Sequence, residues 1–248
     1  MALILFSINA NGLRSKEKRQ SMLSWQNDIL CVQETRWDDS LVEDIKKDFV
    51  GQIFSSNGTP RARGVAVLIK TDRVTGVNLV YGDKEGRVIV IDCMYETKNL
   101  RIINIYAPNG EKERKTFFIE ISKWWEGNCV IIGDFNVAMT PTDVSKNNVF
   151  KGDVSRGALK DLIITKQCLD IWRLLHPWER AYSRRQIVLN RLKQSRIDLS
   201  LVTCEVVKWV KSAEVKCIPK SLGEGWLLFS TKTRGTIKIW TTTDQSVY

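Results

Sequence analysis

Runs of apolar and β-branched residues, five to seven positions long, recur at residues 3–8, 29–33, 64–69, 87–92, 100–106, 129–133, 196–202 and 204–210. Several, such as Val130-Ile131-Ile132, are apolar at every position, which predicts strands covered on one or both faces. Elsewhere the apolar positions recur at the three-to-four spacing of a helix. Residues 16–25 behind Ser15, and 41–49 behind Ser40, predict helices whose first amides are capped by a side-chain oxygen. Residues 111–125 place Phe117, Phe118, Ile121 and Trp125 on one stripe, and residues 157–175 do the same with Leu159, Leu162, Ile163 and Leu169. Helices interleaved with hairpin-like strand pairs imply a layered α/β or α+β fold. No linker or internal repeat interrupts the pattern, but residues 231–248 are rich in Thr and Lys and differ in texture.

Composition narrows the classes. The 248 residues are 43% hydrophobic and 27% charged, as in a globular domain large enough to bury a sizeable core. The net charge of +10 favours polyanionic partners such as nucleic acid. The six cysteines, at 31, 93, 129, 168, 204 and 217, form no Cys-x-x-Cys pair and read as small core residues of an intracellular, reducing environment. No apolar run approaches the ~18 residues of a membrane span, so no membrane partner is expected. The apolar start Met1-Ala2-Leu3-Ile4-Leu5-Phe6 lacks a basic flank and reads as a buried first strand.

Polar groups appear abruptly where apolar runs end. Asn9 closes the first run, Glu34 the second, and Asp134 and Asn136 follow Val130-Ile131-Ile132-Gly133. Asn104 and Tyr106 lie late in the fifth run, and Asp198 sits within Arg196-Ile197-Asp198-Leu199. Strand ends are rigid platforms on which α/β folds commonly build sites. Glu34, Asp134 and Asp198 are candidates to share a metal ion or a proton there, since hard cations take carboxylate and amide oxygens.

The local motifs add a resemblance. Ser7-Ile8-Asn9-Ala10-Asn11-Gly12-Leu13, Val32-Gln33-Glu34-Thr35, Asn104-Ile105-Tyr106-Ala107-Pro108-Asn109, Gly133-Asp134-Phe135-Asn136 and Ser195-Arg196-Ile197-Asp198 occur in the order of the endonuclease/exonuclease/phosphatase superfamily. The pattern most resembles the apurinic-type endonuclease domain of LINE-type, non-LTR retrotransposons, as does Asp170-Ile171-Trp172-Arg173 with His176-Pro177 and Tyr182. The resemblance covers residues 3–222 and implies a four-layer α/β sandwich of two packed mixed sheets with outer helices. It implies an enzyme that nicks double-stranded DNA to expose a 3′ hydroxyl for target-primed reverse transcription, with Mg2+ or Mn2+ as cofactor. Its location would be intracellular with nuclear access, and a monomer is favoured. By the same resemblance Glu34 and Asn9 bind metal, and Asn11 lies beside them on the DNA side. Tyr106 contacts the scissile phosphate, Asp134 orients or deprotonates the water, Asn136 donates to developing charge, and Asp198 orients a histidine.

That histidine is missing. The family opens its last core strand with Ser-Asp-His, whereas residues 223–226 here read Gly223-Glu224-Gly225-Trp226. The chain's single histidine, His176, precedes Pro177 and reads as a helix C-terminal residue. The expected division is therefore an endonuclease domain over 1–222 and a divergent tail over 223–248, with the last core strand disrupted unless Trp226–Phe229 or Thr236–Trp240 partly fills its place. A frameshift, an alternative exon or a gene-model error would produce such a break. The stretch 180–196 carries Arg180, Arg184, Arg185, Arg191, Lys193 and Arg196 without an acidic residue, at the place where the family has a hairpin that probes the DNA groove. Trp37, after Glu34 and Arg36, is placed to stack on DNA or to cover the sheet edge, and covering is the better reading. A nicking enzyme and a catalytically dead DNA-binding remnant both remain open, and the family's phosphatases and sphingomyelinases offer a third substrate class that the basic stretch disfavours.

Overall fold

The computed structural model describes residues 2–59, 61–215 and 237–243. In chain order its strands are β1 Leu3–Asn9, β2 Ile29–Gln33, β3 Gln52–Ser56, β4 Val65–Ile69, β5 Val74–Gly82, β6 Val88–Tyr95, β7 Lys98–Tyr106, β8 Cys129–Asp134, β9 Cys168–Asp170, β10 Arg184–Val188, β11 Arg191–Ser195, β12 Asp198–Thr203, β13 Val210–Val215 and β14 Ile237–Thr243. The helices are α1 Lys16–Leu23, α2 Asp39–Asp48, α3 Glu111–Ile121, α4 Val154–Thr165, α5 Ile171–Leu175 and α6 Cys204–Val207. One six-stranded mixed sheet runs β13-β14-β1-β2-β4-β3, a second runs β5-β6-β7-β8-β12-β9, and β10-β11 form a separate hairpin.

Strand alternation builds the layers. Leu3 and Leu5 of β1 join Ile29, Cys31, Val65 and Val67 against Ile91, Ile102, Val130 and Ile132 of the other sheet, which makes the core between the sheets. Ile8, Leu30, Val32 and Ala66 point the opposite way and pack with Met22, Val42 and Ile45 of α1 and α2. On the far side Ile103, Ile105, Ile131 and Leu201 pack with Phe117, Phe118 and Leu159 of α3 and α4. Helix, sheet, sheet and helix are thus the expected four-layer sandwich. Trp37 is buried as sheet cover, its Nε1 donating to the Leu13 carbonyl at 2.9 Å.

Several elements differ from the sequence reading. The helix expected over 157–175 breaks after Thr165, where Gln167 adopts φ +50, and β9 and α5 follow. Cys168–Asp170 is drawn into pairing with β12, and the Asp170 side chain then caps α5 by accepting from the Arg173 amide. Residues 204–207 form one helical turn rather than a strand, and β13 begins only at Val210. Cys204 is accordingly exposed, not a core residue. The cap of α2 is Asp38, which accepts from the Leu41 amide at 2.9 Å, rather than Ser40. Edge strands β3 and β5, only partly buried, escaped the apolar pattern.

The tail also corrects one expectation. Ile237–Thr243 is an internal strand of the first sheet, parallel to β1 with Leu3 opposite Ile237 and Asn9 opposite Thr243. Ile237, Ile239 and Thr241 are buried, so this strand place is filled rather than disrupted. Residues 223–226, where the Ser-Asp-His motif was sought, and Cys217 lie outside the described residues.

Candidate active site

Strand register gathers the site. In the second sheet Tyr106 of β7 pairs with Asp134 of β8, and Asp134 with Asp198 of β12, so three adjacent strand ends carry three of the candidate side chains abreast. In the first sheet Asn9 ends β1 opposite Gln33, one residue before Glu34. The sandwich then closes the two rows on each other. Asn9 Nδ2 donates to Glu34 Oε1 and to Asp134 Oδ2, each at 2.9 Å, and so spans both sheets.

Further bonds fix the surrounding groups. The Asn11 amide donates to Asn9 Oδ1 at 3.0 Å, and Arg36 Nη2 donates to Asn11 Oδ1 at 2.6 Å. The Asn136 amide donates to Asp134 Oδ1 at 2.8 Å, while its Nδ2 donates to the Ala107 carbonyl at 2.8 Å. The chain leaves the strand ends in left-handed turns, with φ +45 at Asn11, +53 at Glu34, +54 at Arg36 and +51 at Asn136. Such a conformation is uncommon outside glycine, and its clustering here marks backbone held by its surroundings. Gly133, at φ +134, has no substitute: a Cβ there would lie 2.1 Å from the Ile105 carbonyl oxygen.

Asn104, singled out by sequence, serves the floor beneath the site. Its Nδ2 donates to the Val32 and Ala66 carbonyls at 3.0 and 2.9 Å, and its Oδ1 accepts from Gln33 Nε2 at 2.6 Å. This buried network stitches the sheets together under the candidate residues. Asp198 is buried, and Ser183 Oγ accepts from its amide and from that of Ile197.

Electrostatics follow from this burial. Burial raises the Asp134 carboxyl, Asn9 and the Asn136 amide oppose the rise, nearby Glu34 adds to it, and the balance lies at about 6. Burial, then the charges of Glu34 and Asp134, push the Tyr106 phenol well above its ordinary value, so it remains a proton-bearing donor at neutral pH. The Arg87 guanidinium stands 5.6 Å from the Tyr106 ring centre and partly offsets that push.

Such a carboxylate pair suits a hard cation. Glu34 and Asp134 share one amide donor, and their mutual repulsion is only partly relieved. Among the described residues no three His, Cys, Asp or Glu side chains gather as a metal cage. Few protein oxygens, with water completing the shell, is the arrangement a magnesium-like ion prefers. The residues present therefore fit a divalent cation on Glu34 with Asn9 beside it.

The basic stretch divides in two. Arg184–Val188 and Arg191–Ser195 pair as an antiparallel hairpin, turned at Leu189 and Asn190 with φ +50 and +58. Arg184 lies near enough to lower the Asp134 carboxyl, which sets the hairpin beside the cleft. Arg184 and Arg191 are exposed, whereas Arg185 and Lys193 are half-buried. Arg196 is not part of the basic surface. It is buried, with Nε on Asp143 Oδ1 at 2.8 Å and Nη2 on Asp170 Oδ2 at 2.7 Å. Burial opposes the Asp143 charge, yet Arg196 and Arg173 hold its carboxyl below the ordinary range. His176 lies outside the cleft, bonded to Glu179 Oε1 at 2.9 Å and the Ala213 carbonyl at 3.0 Å. Sequence reasoning gave no role to Arg36, Arg87, Asp143 or Ser183. Only Arg36, two residues after Glu34, had a signal in its position.

Residues 6–206 match the sequence profile described as Endonuclease/Exonuclease/phosphatase family. The chain belongs to this family. Within the endonuclease/exonuclease/phosphatase family it is similar to the transposon TX1 uncharacterized 149 kDa protein of Xenopus laevis, 25% identical over 230 residues. That match covers 89% of this chain but only 17% of the transposon protein's length. It is also 26% identical over 241 residues to an exodeoxyribonuclease of Bacillus subtilis (strain 168), covering 85% of this chain and 92% of that protein. The fold is that of an AP endonuclease from Archaeoglobus fulgidus, with TM-score 0.64, 23% identity and coverage of 84% of this chain and 89% of that one. Among the described residues no helix is long and apolar enough to cross a membrane.

Proposed function

We propose that this chain is a metal-dependent DNA phosphodiesterase of the retrotransposon endonuclease type, nicking duplex DNA to expose a 3′ hydroxyl that primes reverse transcription. The carrying observation is the Asn9 bridge between Glu34 and Asp134, which sets two carboxylates from different sheets around one point. The names of the relatives, a transposon protein and an exodeoxyribonuclease, support nucleic-acid cleavage and a mobile-element setting. A bound Mg2+ or Mn2+ would neutralise charge on the phosphate's non-bridging oxygens, with Glu34 and, its amide turned to present Oδ1, Asn9 as its protein ligands.

The chain's own groups supply the rest. Asp134, held by Asn9 and the Asn136 amide, sits near neutral in its proton affinity and takes a proton from the attacking water. Tyr106 keeps its proton and donates to the phosphate, and Asn136 lies on the same rim as a second donor. Arg184, Arg185, Arg191 and Lys193, with Asn11 at the mouth, contact the phosphate backbone. The exposed Ile187, Leu189 and Leu192 give the hairpin an apolar tip suited to a groove. DNA as target implies nuclear access, and a single chain holds all these groups, in keeping with a monomer.

A second reading has its own observation. His176, the only imidazole in the chain, is engaged by Glu179 and Ala213 away from Asp198, so turnover is slow or the chain persists as a DNA-binding remnant. Nicking of supercoiled plasmid with and without Mg2+, by the original chain and Glu34→Ala, separates the two. Robust Mg2+-dependent nicking abolished by Glu34→Ala overturns the impaired reading. No nicking, with activity gained by grafting Ser-Asp-His at residues 223–225, supports it.

A further inference from the structure

The fold fixes Arg36 with some care. Its amide donates to the Arg63 carbonyl at 2.9 Å, and its own carbonyl accepts from Arg14 Nη1 at 3.0 Å. Its backbone is left-handed at φ +54, two residues beyond Glu34. The side chain lies over Gly12, where a Cβ would stand 3.3 Å from Arg36 Cδ and Nη1. Position, backbone shape and a neighbouring glycine thus combine to set one guanidinium at the mouth of the cleft.

Its protein contacts leave much of that guanidinium unused. Nη2 donates to Asn11 Oδ1 at 2.6 Å and reaches Glu34 Oε2 only at 3.5 Å. A charge-assisted bond of full strength is shorter, at about 2.7–2.9 Å. Nε is buried and has no hydrogen-bond partner among the described residues, so a ligand would be met by the terminal nitrogens. The side chain is still 35% exposed. A guanidinium carries five donors in a planar fork that matches two phosphate oxygens. A strut between Asn11 and Glu34 would need only one of them.

The charge balance gives this cation a purpose. Glu34 and Asp134 make the cleft acidic, yet the substrate is an anion. A permanent positive charge at the edge of the acidic pair would offset it where that anion enters. The chain's single histidine is bonded elsewhere and does not supply it.

We propose that Arg36 is a phosphate-binding residue of the cleft, whose guanidinium takes the non-bridging oxygens of the scissile phosphodiester and supplies fixed positive charge there. The proposal rests on the nuclease reading for its substrate. It adds a residue that would act both in binding and in stabilising the charge that develops on the phosphate.

The test uses the full chain, Arg36→Gln, which can still donate to Asn11, and Arg36→Lys. Binding of a fluorescent DNA duplex is followed by anisotropy over about 50–200 mM salt with chelator present, where counterion release dominates. Loss of one phosphate contact lowers the slope of log affinity on log salt by about 0.9 in Arg36→Gln, and Arg36→Lys restores it. Plasmid nicking falls about 100-fold or more in Arg36→Gln. It recovers only partly with Lys, which lacks the fork. Free guanidinium ion restores cutting to Arg36→Ala but not to Glu34→Ala. An unchanged slope together with unchanged nicking in Arg36→Gln overturns the proposal and leaves a strut. Equal losses in Gln and Lys variants, matched by lowered melting temperature, overturn it as well. If the original chain binds DNA without cutting it, the cleavage reading fails alone and the salt slope decides Arg36. If the original neither binds nor cuts, the nuclease reading falls and Arg36 falls with it.

Discussion

Replacing Asp134 with Asn should make the metal-free protein more stable than the original chain by an amount that grows with pH. Burial and the nearby Glu34 carboxylate lift the Asp134 carboxyl from 3.8 to about 6 in the folded state. The folded protein therefore holds that proton more tightly than the unfolded chain does. Well below the ordinary value of 3.8 the carboxyl is protonated in both states, and the raised value costs little. As pH rises through 6 the folded protein must carry a buried charge, and the penalty levels off above it. A shift of about two units is worth about 3 kcal/mol. Between pH 4 and 7.5 the difference between Asn and Asp variants should grow by about 2–3 kcal/mol. A fixed cost accompanies the substitution, because the new amide can place a donor opposite Asn9 Nδ2. That cost is the same at every pH and cancels from the trend. Urea denaturation across this range, with chelator present, reads the difference as a change in midpoint at constant slope. A difference that stays flat from pH 4 to 7.5 refutes the account of Asp134 as a strained, buried carboxyl. Adding Mg2+ or Mn2+ should shrink the difference at pH 7.5, since loss of the Asp134 charge weakens cation binding and the original chain gains more by mass action.

Three further outcomes follow from the same geometry. Arg196→Met leaves buried Asp143 with Arg173 alone and strips half-buried Asp170 of its buried partner, and should cost about 3 kcal/mol in chemical denaturation. The salt dependence of DNA binding by the surviving folded fraction should not move. Gly133→Ala drives a methyl group into the Ile105 carbonyl and demands a strained φ, so a large drop in melting temperature or failure to fold is expected. A variant as stable as the original would mean that β7 and β8 part easily at their ends. Arg184→Ala with Arg191→Ala should lower the salt slope of duplex binding by about 1.8, and an unchanged slope would remove the hairpin from the DNA surface.

What the sequence made legible depended on how many faces an element buries. The central strands β2, β4 and β8 are buried throughout, and their unbroken apolar runs stand out. The edge strands β3 and β5 are only partly buried and carry no such signal. The break after Thr165 was hidden because Gln167 takes its left-handed turn without a glycine or proline to announce it. The site was readable for the opposite reason: Asn9, Glu34 and Asp134 are polar where an apolar run should have continued. The same signal could not separate Asp134, which faces the cleft, from Asn104, which ties the sheets from within. Arg196 was misread as a surface cation because its partners Asp143 and Asp170 lie 53 and 26 residues away in the chain. Long-range pairing of that kind leaves no local trace.

The amide of Asn9 reaches one carboxylate from its own sheet and one from the other. It therefore acts as a caliper on the sandwich. Adding or removing a methylene group among Leu5, Ile102 and Ile132, well below the mouth, alters the gap between the sheets, and a packed interior transmits such a change rather than absorbing it. At the top the change becomes a new separation between two negative charges, which sets both the proton affinity of Asp134 and the room for a cation. Core variants that leave every cleft residue in place should thus shift the pH at which Asp134 ionises, and that pH becomes a ruler for distances inside the protein.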